Sequence, residues 1–136
     1  MYNPFFITDT EKDQWTTLVK SNPNSGFMQS FEWADFLKTQ NWEVFKVGIK
    51  NSKDILQGGM FAYKFKYSDS NFIYVPDGPV LDSLTESNAI NQFEILFREF
   101  HFIADSNTSH IRFEANYEAV PVFYQNLQKN WRSVRY

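Results

Sequence analysis

The sequence contains no cysteine. Without thiols the protein cannot form disulfides, thiolate nucleophiles or zinc–thiolate sites, and this composition is typical of the cytoplasm. No apolar run approaches the length of about 18 to 20 residues that a membrane-spanning helix requires. The first residues lack the basic region and the long apolar segment of a secretion signal. Together these absences predict a soluble, cytoplasmic protein without a transmembrane segment.

Several common catalytic and ligand-binding motifs are also missing. The sequence has no G-x-S-x-G nucleophile elbow, no Walker loop and no G-x-G-x-x-G motif, which argues against hydrolase, nucleotide triphosphatase and dinucleotide-binding functions. His101 and His110 form neither an HxxxH nor an HExxH ligand pair, so we expect no metal site. The formal net charge is -3 and the basic residues are scattered, which argues against DNA binding.

Aromatic residues, in contrast, are abundant. Phe, Tyr and Trp make up 19% of the 136 residues, and 43% of the chain is hydrophobic. Because aromatic side chains carry large apolar areas, much of this content must lie in a core. A chain of this length can bury one such core, so we expect a single domain over residues 1–136.

The first forty residues read as a short strand followed by two helices. An apolar run at residues 5–7 predicts the strand. Thr10, with a carboxylate three residues later, predicts the N-terminal cap of a helix over residues 10–20. After a loop rich in turn formers, Ser30 caps a second helix that ends near Asn41. The predicted buried face of this helix consists of Trp33, Phe36 and Leu37.

From Trp42 the hydrophobic period changes from helical to extended. Residues 43–50 alternate between two faces, and residues 55–66 form a second strand after a hairpin turn. The glycine pair at positions 58–59 indicates a bulge or a close backbone approach. A third strand enters at Phe72, so the three strands form an antiparallel meander.

A long helix and a further strand come after the meander. A capping box at residues 83–86 opens the helix, whose apolar face continues to Ala104. Residues 110–115 form a strand that a helical crossover places parallel to its neighbour. Pro121 opens a last helix. The order β-α-α-β-β-β-α-β-α predicts an α+β fold in which helices flank a mixed, largely antiparallel sheet.

The last residues, 131–136, read as the beginning of another strand. A sheet that awaits one more strand has an unfinished edge, which can pair with a partner or with a second copy of the chain. We therefore expect the chain to be half of something larger. A homo-oligomer formed through this edge is one arrangement open to it.

The most informative segment lies where the third strand ends, at residues 72–82. Pro76 fixes its own φ, Gly78 can supply a positive φ, and Pro79 restrains the glycine before it. A turn this stiff is more than a simple chain reversal requires. It predicts an edge of the sheet that faces a ligand.

This stiff turn makes three side chains candidates for ligand contact: Tyr74, Asp77 and Asp82. The two carboxylates can accept a proton or the hydrogen bonds of a ligand. The structural alternative is that Asp77 only forms the turn and Asp82 only caps the segment after it. For Tyr74 the alternatives are a core-edge position and a hydroxyl that donates a hydrogen bond to a ligand.

Two further candidates precede the meander. Trp42 flanks a turn, where it belongs either to the edge of the core or to a platform that stacks on a sugar or base. Lys38 lies on the polar side of the second helix. It is either a solvated lysine or a contact for phosphate.

Several segments occur in the order and spacing of a known family: Ser25-Gly26-Phe27-Met28-Gln29-Ser30-Phe31-Glu32-Trp33-Ala34-Asp35-Phe36, Asn41-Trp42-Glu43, Gln57-Gly58-Gly59, Tyr74-Val75-Pro76-Asp77-Gly78-Pro79-Val80 with Asp82, and Phe123-Tyr124-Gln125-Asn126-Leu127. Together they resemble the N-terminal part of the Fem family of peptidoglycan bridge-forming aminoacyltransferases. Members of this family resemble two GNAT-like acyltransferase domains in tandem. They transfer an amino acid from aminoacyl-tRNA to the peptide stem of a cell-wall precursor.

The resemblance implies a GNAT-like fold and a domain that helps to bind a muropeptide, either nucleotide-linked or lipid-linked. Aminoacyl-tRNA would be a partner only if a second domain is present. Among the matching positions, Asp77 and Asp82 would be catalytic, since they would orient the attacking amine by accepting its hydrogen bonds. Lys38 would contact acceptor phosphates. The other matching residues would shape the acceptor cleft: Trp42, Tyr74, Gly78 and Pro79.

No cofactor is expected. An acetyl-coenzyme A enzyme of this fold normally holds the pyrophosphate in a glycine-containing loop that opens a helix. At the corresponding residues, 82–86, this sequence has no glycine and two carboxylates. Coenzyme A is therefore disfavoured, in agreement with the aminoacyl-tRNA donor that the resemblance implies.

Two other interpretations stay open. The chain could be a non-catalytic module that binds a muropeptide-like ligand or a protein partner and lacks the second half. It could also be a fragment that is informative about fold only. The sequence does not specify the amino acid transferred, the form of the acceptor or the oligomeric state.

Overall fold

The computed structural model describes residues 2–23, 25–81 and 86–114. Its helices and strands are, in chain order, β1 (Asn3–Phe6), α1 (Lys12–Ser21), α2 (Phe31–Thr39), β2 (Glu43–Lys50), β3 (Leu56–Tyr67), β4 (Ser70–Pro76), β5 (Val80–Leu81), α3 (Glu86–Ile103) and β6 (Thr108–Glu114). The predicted order is confirmed through β6, with the two-residue β5 as an addition. The predicted last helix and the strand-like segment 131–136 lie outside the described residues.

The strands form one mixed sheet in the order β1-β2-β3-β4-β6. Neighbours from β1 to β4 are antiparallel, whereas β6 runs parallel to β4 because the α3 crossover connects them. The chain leaves the sheet after β4, turns, and returns as β5, which pairs with β3 at Gly58 and Gly59. The predicted α+β fold with a largely antiparallel sheet is confirmed.

Each face of the sheet buries its own hydrophobic cluster. The α3 face buries helix residues against alternate strand residues, chiefly Val47, Ile49, Met60, Ala62, Ile73, Val75, Phe93, Leu96, Phe100 and Ile103. The opposite face is packed by α1 and α2 and includes Trp15, Leu18, Phe31, Ala34, Leu37, Phe61 and Tyr63. Because strand side chains alternate, this division shows which face the residues of the regular strands β3 and β4 occupy.

The first helical segment begins earlier than the sequence predicts. Thr8, rather than Thr10, is the cap: its hydroxyl oxygen accepts from the Thr10 N–H at 3.3 Å, and its own N–H donates to the Glu11 carboxylate at 2.9 Å. A 3-10 turn over Asp9–Glu11 leads into α1. The prediction of Thr10 is wrong because Thr8 and Glu11 have the same capping-box spacing two residues upstream.

The cap of α2 is confirmed, whereas its predicted face needs correction. The Ser30 hydroxyl oxygen accepts from the Trp33 N–H at 3.1 Å. Phe36, predicted to be buried, is 49% exposed, because Phe31 anchors the helix edge-on against the Phe61 ring at 5.3 Å. The side chains that α2 buries are therefore Phe31, Ala34 and Leu37.

The glycine pair in β3 permits close approach on both sides of the strand. A Cβ at Gly58 would lie 2.8 Å from the Val80 carbonyl oxygen of β5. A Cβ at Gly59 would overlap the Val47 carbonyl oxygen and lie 2.9 Å from the Trp15 ring. Both predicted alternatives are observed: the backbone approaches closely at the glycines, and the pairing with β2 shifts register beside them, from Ile49 opposite Gly58 to Lys50 opposite Leu56.

A buried lysine ties the end of α3 to the sheet. Lys64 is 5% exposed, and its ammonium group donates to the Ile103 carbonyl oxygen at 2.9 Å and to the Asp105 carboxylate at 2.7 Å. Asn71 donates to the same carboxylate at 3.0 Å. These bonds hold the Asp105 pKa well below its ordinary value, first through the Lys64 hydrogen bond.

Candidate functional site

The turn after β4 is built by Asp77, Gly78 and Pro79. Asp77 has a left-handed φ of 52°, no glycine of the described chain has a positive φ, and the Gly78–Pro79 peptide bond is cis. The expectation that Gly78 supplies the positive φ is therefore wrong; Asp77, whose short polar side chain tolerates this conformation, does so. Gly78 is required for space, since a Cβ there would lie 3.0 Å from the Gln29 amide nitrogen.

Gln29 fixes the end of β4. Its fully buried amide nitrogen donates to the carbonyl oxygens of Pro76 at 2.6 Å and Phe61 at 3.2 Å, and its amide oxygen accepts from the Phe61 N–H at 2.7 Å. The Gln29 carbonyl oxygen in turn accepts from the Trp15 indole at 2.6 Å. Because these partners are buried, the segment between α1 and α2 determines where the turn lies.

The carboxylate of Asp77 lies against the backbone of the same segment. A Cβ at Gly26 would lie 2.5 Å from Asp77 Oδ2, and the Ser25 hydroxyl donates to the Asp77 carbonyl oxygen at 3.4 Å. Asp77 therefore packs on the loop while it stands at the strand end. The other predicted carboxylate, Asp82, lies outside the described residues.

Tyr74 lies on a face of the sheet that the helices of the described residues cover only in part. Since Ile73 and Val75 face α3, Tyr74 faces the opposite side, and the β6 residues Arg112 and Glu114 share that side in register with β4. The helices α1 and α2 pack there over β2 and β3. The side chains of Arg112 and Glu114 stay 54% and 46% exposed. We call this region of β4 and β6 the open face.

Three side chains are connected on the open face. The Tyr74 hydroxyl donates to Glu114 Oε2 at 3.0 Å, and the Arg112 guanidinium pairs with Glu114 Oε1 at 2.8 Å. Burial, and then the hydrogen bond and charge of Glu114, raise the pKa of Tyr74 to about 12, while Arg112 acts in the opposite direction. The negative charge of Asp77 adds to the increase. The phenol is therefore protonated at neutral pH.

Trp42 belongs to a group of rings that leads along this face to Tyr74. The half-buried Trp42 ring packs on Phe65 at 4.8 Å and edge-on against Phe72 at 5.8 Å, and Phe72 stacks on His110 at 5.1 Å. We call these four residues the aromatic strip. Phe72 precedes Tyr74 by two residues on β4, so the strip and the tyrosine occupy one surface.

Lys38 is not part of this arrangement. It is exposed near the end of α2, and within the described residues it makes no hydrogen bond or ion pair with the other candidates. Its charge contributes to lowering the pKa of Lys46, after the larger effect of burial. The Lys46 ammonium lies 4.2 Å above the Phe31 ring. The structure thus brings Tyr74, Asp77, Gly78 and Pro79 together and places Trp42 at the far end of the same face.

Three residues at this site were not identified from the sequence: Gln29, Arg112 and Glu114. The signal for the last two is the alternation His110-Ile111-Arg112-Phe113-Glu114, which puts both charges on one face of a strand that neighbours Tyr74. No comparable signal exists for Gln29. A glutamine beside turn formers gives no sign of burial, and its partners lie 32 and 47 residues away.

Other parts of the described chain offer no competing site of this kind. Among the described residues, no group of three or more His, Asp or Glu side chains could hold a metal ion. Grooves of about 600 and 450 Å³ lie beside α1 and α3, and none of the candidates lines either groove. No helix within the described ranges has the length and apolarity to cross a membrane.

The mixed sheet, with a parallel strand pair joined by the α3 crossover and helices on both faces, is the fold of the GNAT acyltransferases. The model of the FemAB family matches residues 7–129. The chain therefore belongs to the FemAB family. Among curated proteins, no significant sequence match is found.

Solved structures agree with this fold. FemX matches with a TM-score of 0.68 and 21% identity over 93% of this chain, which spans 31% of FemX. A ribosomal-protein-alanine N-acetyltransferase from Brucella melitensis biovar Abortus 2308 matches with a TM-score of 0.66 and 11% identity, over 100% of this chain and 95% of that chain. An aminoglycoside 6'-N-acetyltransferase from Acinetobacter baumannii matches with a TM-score of 0.67 and 10% identity, over 100% of this chain and 94% of that chain. At these identities the likeness establishes the fold.

Proposed function

We propose that this chain is the acceptor-binding domain of a peptidoglycan bridge-forming aminoacyltransferase. In that reaction an amino acid passes from aminoacyl-tRNA to an amine on a muropeptide stem. The observation that carries the proposal is the FemAB family match over residues 7–129. The geometry supports it, because buried hydrogen bonds from Gln29 fix a strand end that presents Tyr74 and Asp77 beside the open face.

Transfer of an acyl group from an ester to an amine needs no covalent enzyme intermediate. The amine nitrogen forms a bond to the ester carbonyl carbon, the bond from that carbon to the tRNA oxygen breaks, and one proton passes from the nitrogen to the departing oxygen. Much of the rate can then come from holding amine and ester in the reactive orientation. In this proposal Asp77 and Asp82 orient the amine. The acceptor contacts are assigned to Lys38, Trp42, Tyr74, Gly78 and Pro79.

The donor side of the reaction is assigned to a second domain. The chain spans 31% of FemX, so a two-domain arrangement is part of the proposal and aminoacyl-tRNA is a partner only within it. Coenzyme A has no role in this scheme. The acceptor is a cell-wall precursor, nucleotide-linked or lipid-linked, and a donor made from tRNA places the reaction in the cytoplasm.

The same partial coverage favours a second candidate function. A chain that spans 31% of FemX could bind a muropeptide, or pair with a partner through the edge of its sheet, without performing the transfer. The enzyme and a muropeptide-binding module share the acceptor site and differ in turnover.

Tryptophan fluorescence tests both candidates. The protein is titrated with a soluble muropeptide precursor, and aminoacyl-tRNA is then added while the product is followed by mass spectrometry. Saturable binding supports an acceptor site on this chain. Because the donor side is assigned to a second domain, transfer is measured on a protein that contains both domains: transfer supports the enzyme, and binding without transfer supports the module. Absence of binding contradicts the enzyme and the muropeptide-binding form of the module. In a two-domain protein that is active, undiminished transfer by Asp77→Asn and Asp82→Asn would contradict their assigned role.

A further inference from the structure

Among the described residues, Glu114 is a further carboxylate that is placed to receive the acceptor amine, in addition to Asp77. Asp77 turns its carboxylate onto the Gly26 backbone, whereas Glu114 lies on the open face beside Tyr74. We infer that Glu114 binds the acceptor's primary amine as an ammonium group, and that Tyr74 and Arg112 hold the carboxylate in position for it. This inference rests on the proposed function and specifies its acceptor site.

The geometry of Glu114 leaves room for such a ligand. One carboxylate oxygen is held by the Tyr74 hydroxyl at 3.0 Å and the other by the Arg112 guanidinium at 2.8 Å. A carboxylate offers about four lone-pair positions for hydrogen bonds, so about two stay available. With the Glu114 side chain 46% exposed, a ligand can reach them from solvent. The two protein contacts fix the orientation of the carboxylate in advance.

The local charge favours a cation. Arg112 balances one carboxylate, and Asp77, whose charge acts on the Tyr74 hydroxyl, supplies a second. Among Arg112, Glu114 and Asp77, two side chains are formally negative and one is formally positive. Tyr74, being protonated at neutral pH, keeps its hydroxyl directed to Glu114 as a donor. An ammonium group with three N–H donors complements this arrangement, and a second anion does not.

The position of Glu114 also suits an extended acceptor. Glu114 is in register with Pro76, at the end of β4 that Gln29 holds in place. The aromatic strip begins at Trp42 and leads along the same face toward Tyr74. A ligand that stacks on the strip would extend along the same face as Glu114.

The test compares two forms of one soluble muropeptide precursor, with the stem amine free or acetylated. Calorimetry measures both affinities for wild type, Glu114→Gln, Glu114→Asp and the control Glu94→Gln, which removes an equal charge from the exposed side of α3. A charge-assisted hydrogen bond predicts that wild type prefers the free amine by about tenfold. Glu114→Gln should lose this preference, Glu114→Asp should keep part of it, and Glu94→Gln should keep all of it.

The outcomes separate the inference from the proposed function. Equal affinity of wild type for the two forms, or a full preference retained by Glu114→Gln, overturns the inference while acceptor binding stands. If wild type binds neither form, the proposed function fails and the inference with it. Circular dichroism verifies folding of each variant. Since Glu114 is half exposed, the substitutions should leave the fold unchanged.

Discussion

The side-chain amide nitrogen of Gln29 lies 2.6 Å from the carbonyl oxygen of Pro76, and this hydrogen bond joins segments 47 residues apart. The donor is fully buried and also bonds to the Phe61 carbonyl oxygen. The hydrogen bond thereby attaches the end of β4 to the segment between α1 and α2. The stability of the protein and the orientation of its candidate site depend on the same side chain.

Replacing Gln29 by Ala should therefore destabilise the protein strongly. The substitution leaves the N–H and carbonyl of Phe61 and the carbonyl of Pro76 without this partner and opens a cavity, a loss of about 3 kcal/mol. Urea denaturation measures the change. The control is Gln14→Ala on the exposed side of α1, expected to stay within about 0.5 kcal/mol of wild type. Equal midpoints for the two variants would contradict the structural role of Gln29.

Substitutions of Gly59 and Gly26 by Ala should differ in how much stability they cost. A Cβ at Gly59 meets backbone and the Trp15 ring, so Gly59→Ala should cost about 2 to 3 kcal/mol or prevent folding. A Cβ at Gly26 meets the movable end of the Asp77 side chain, so Gly26→Ala should cost less than about 1 kcal/mol and displace that carboxylate. Thermal unfolding ranks the variants. A larger loss for Gly26→Ala than for Gly59→Ala would contradict this description of the contacts.

Alkaline titration should detect the contact between Tyr74 and Glu114. The difference between the phenolate absorbance curves of wild type and Tyr74→Phe isolates one group, with a pKa of about 12. Glu114→Gln should move this pKa toward the ordinary value of 10.0 without reaching it, because burial, the largest cause, persists. A Tyr74 pKa that Glu114→Gln leaves unchanged would contradict the contact.

The same shift has a consequence for stability at high pH. Because the pKa of Tyr74 is raised in the folded state, its stabilising contribution is complete below pH 10.0 and is lost as pH rises toward about 12. In that interval the unfolded chain loses the Tyr74 proton before the folded chain does. Urea midpoints measured across this range should fall more steeply for wild type than for Tyr74→Phe. If the urea midpoints of wild type and Tyr74→Phe fall equally with pH, the stabilising role of the raised Tyr74 pKa is contradicted.

The contact between Lys64 and Asp105 predicts an effect at acid pH. Asp105→Ala removes a charged partner of a buried ammonium group and should lower the urea midpoint at neutral pH. In wild type, the lowered Asp105 pKa means that this stabilisation is present above pH 3.8 and is lost as pH falls below it. The urea midpoint of Asp105→Ala should therefore fall less than that of wild type as pH is lowered below 3.8.

Glu43→Ala provides the control for this experiment, because it removes an exposed pair with Lys66 at 3.6 Å and should change stability little. Similar losses in the Glu43 and Asp105 variants would mean that the buried ammonium group does not need its carboxylate.

Local patterns in the sequence were sufficient for most of the fold. The alternation in β2 and the hydroxyl cap at Ser30 act over a few residues, and both are confirmed. The face of α2 was harder to predict. Trp33 and Phe36 satisfy helical spacing as well as Phe31 does, and the contact of Phe31 with Phe61 decides between them. Such a contact depends on tertiary packing, which cannot be predicted from helical periodicity alone.

The candidate site was predictable in part for a similar reason. Proline and glycine mark the turn at residues 76–79 locally, and the turn lies at a strand end as expected. The residue with the positive φ was misassigned, because the space beside Gln29 rather than φ explains Gly78. The contact of Tyr74 with Glu114 spans 40 residues and depends on the parallel register of β4 and β6. Register of this kind is a property of the assembled sheet.

The long reach of the Gln29 hydrogen bonds has a consequence for how the site comes into existence. Residues 74–79 acquire their final orientation only after α1, β3 and β4 have come together around this amide, so the site is absent from any isolated stretch of the sequence. A peptide with the sequence of β4 and its turn would have the candidate side chains without their arrangement. Ligand binding at this edge is therefore a sensitive report that the whole sheet has folded.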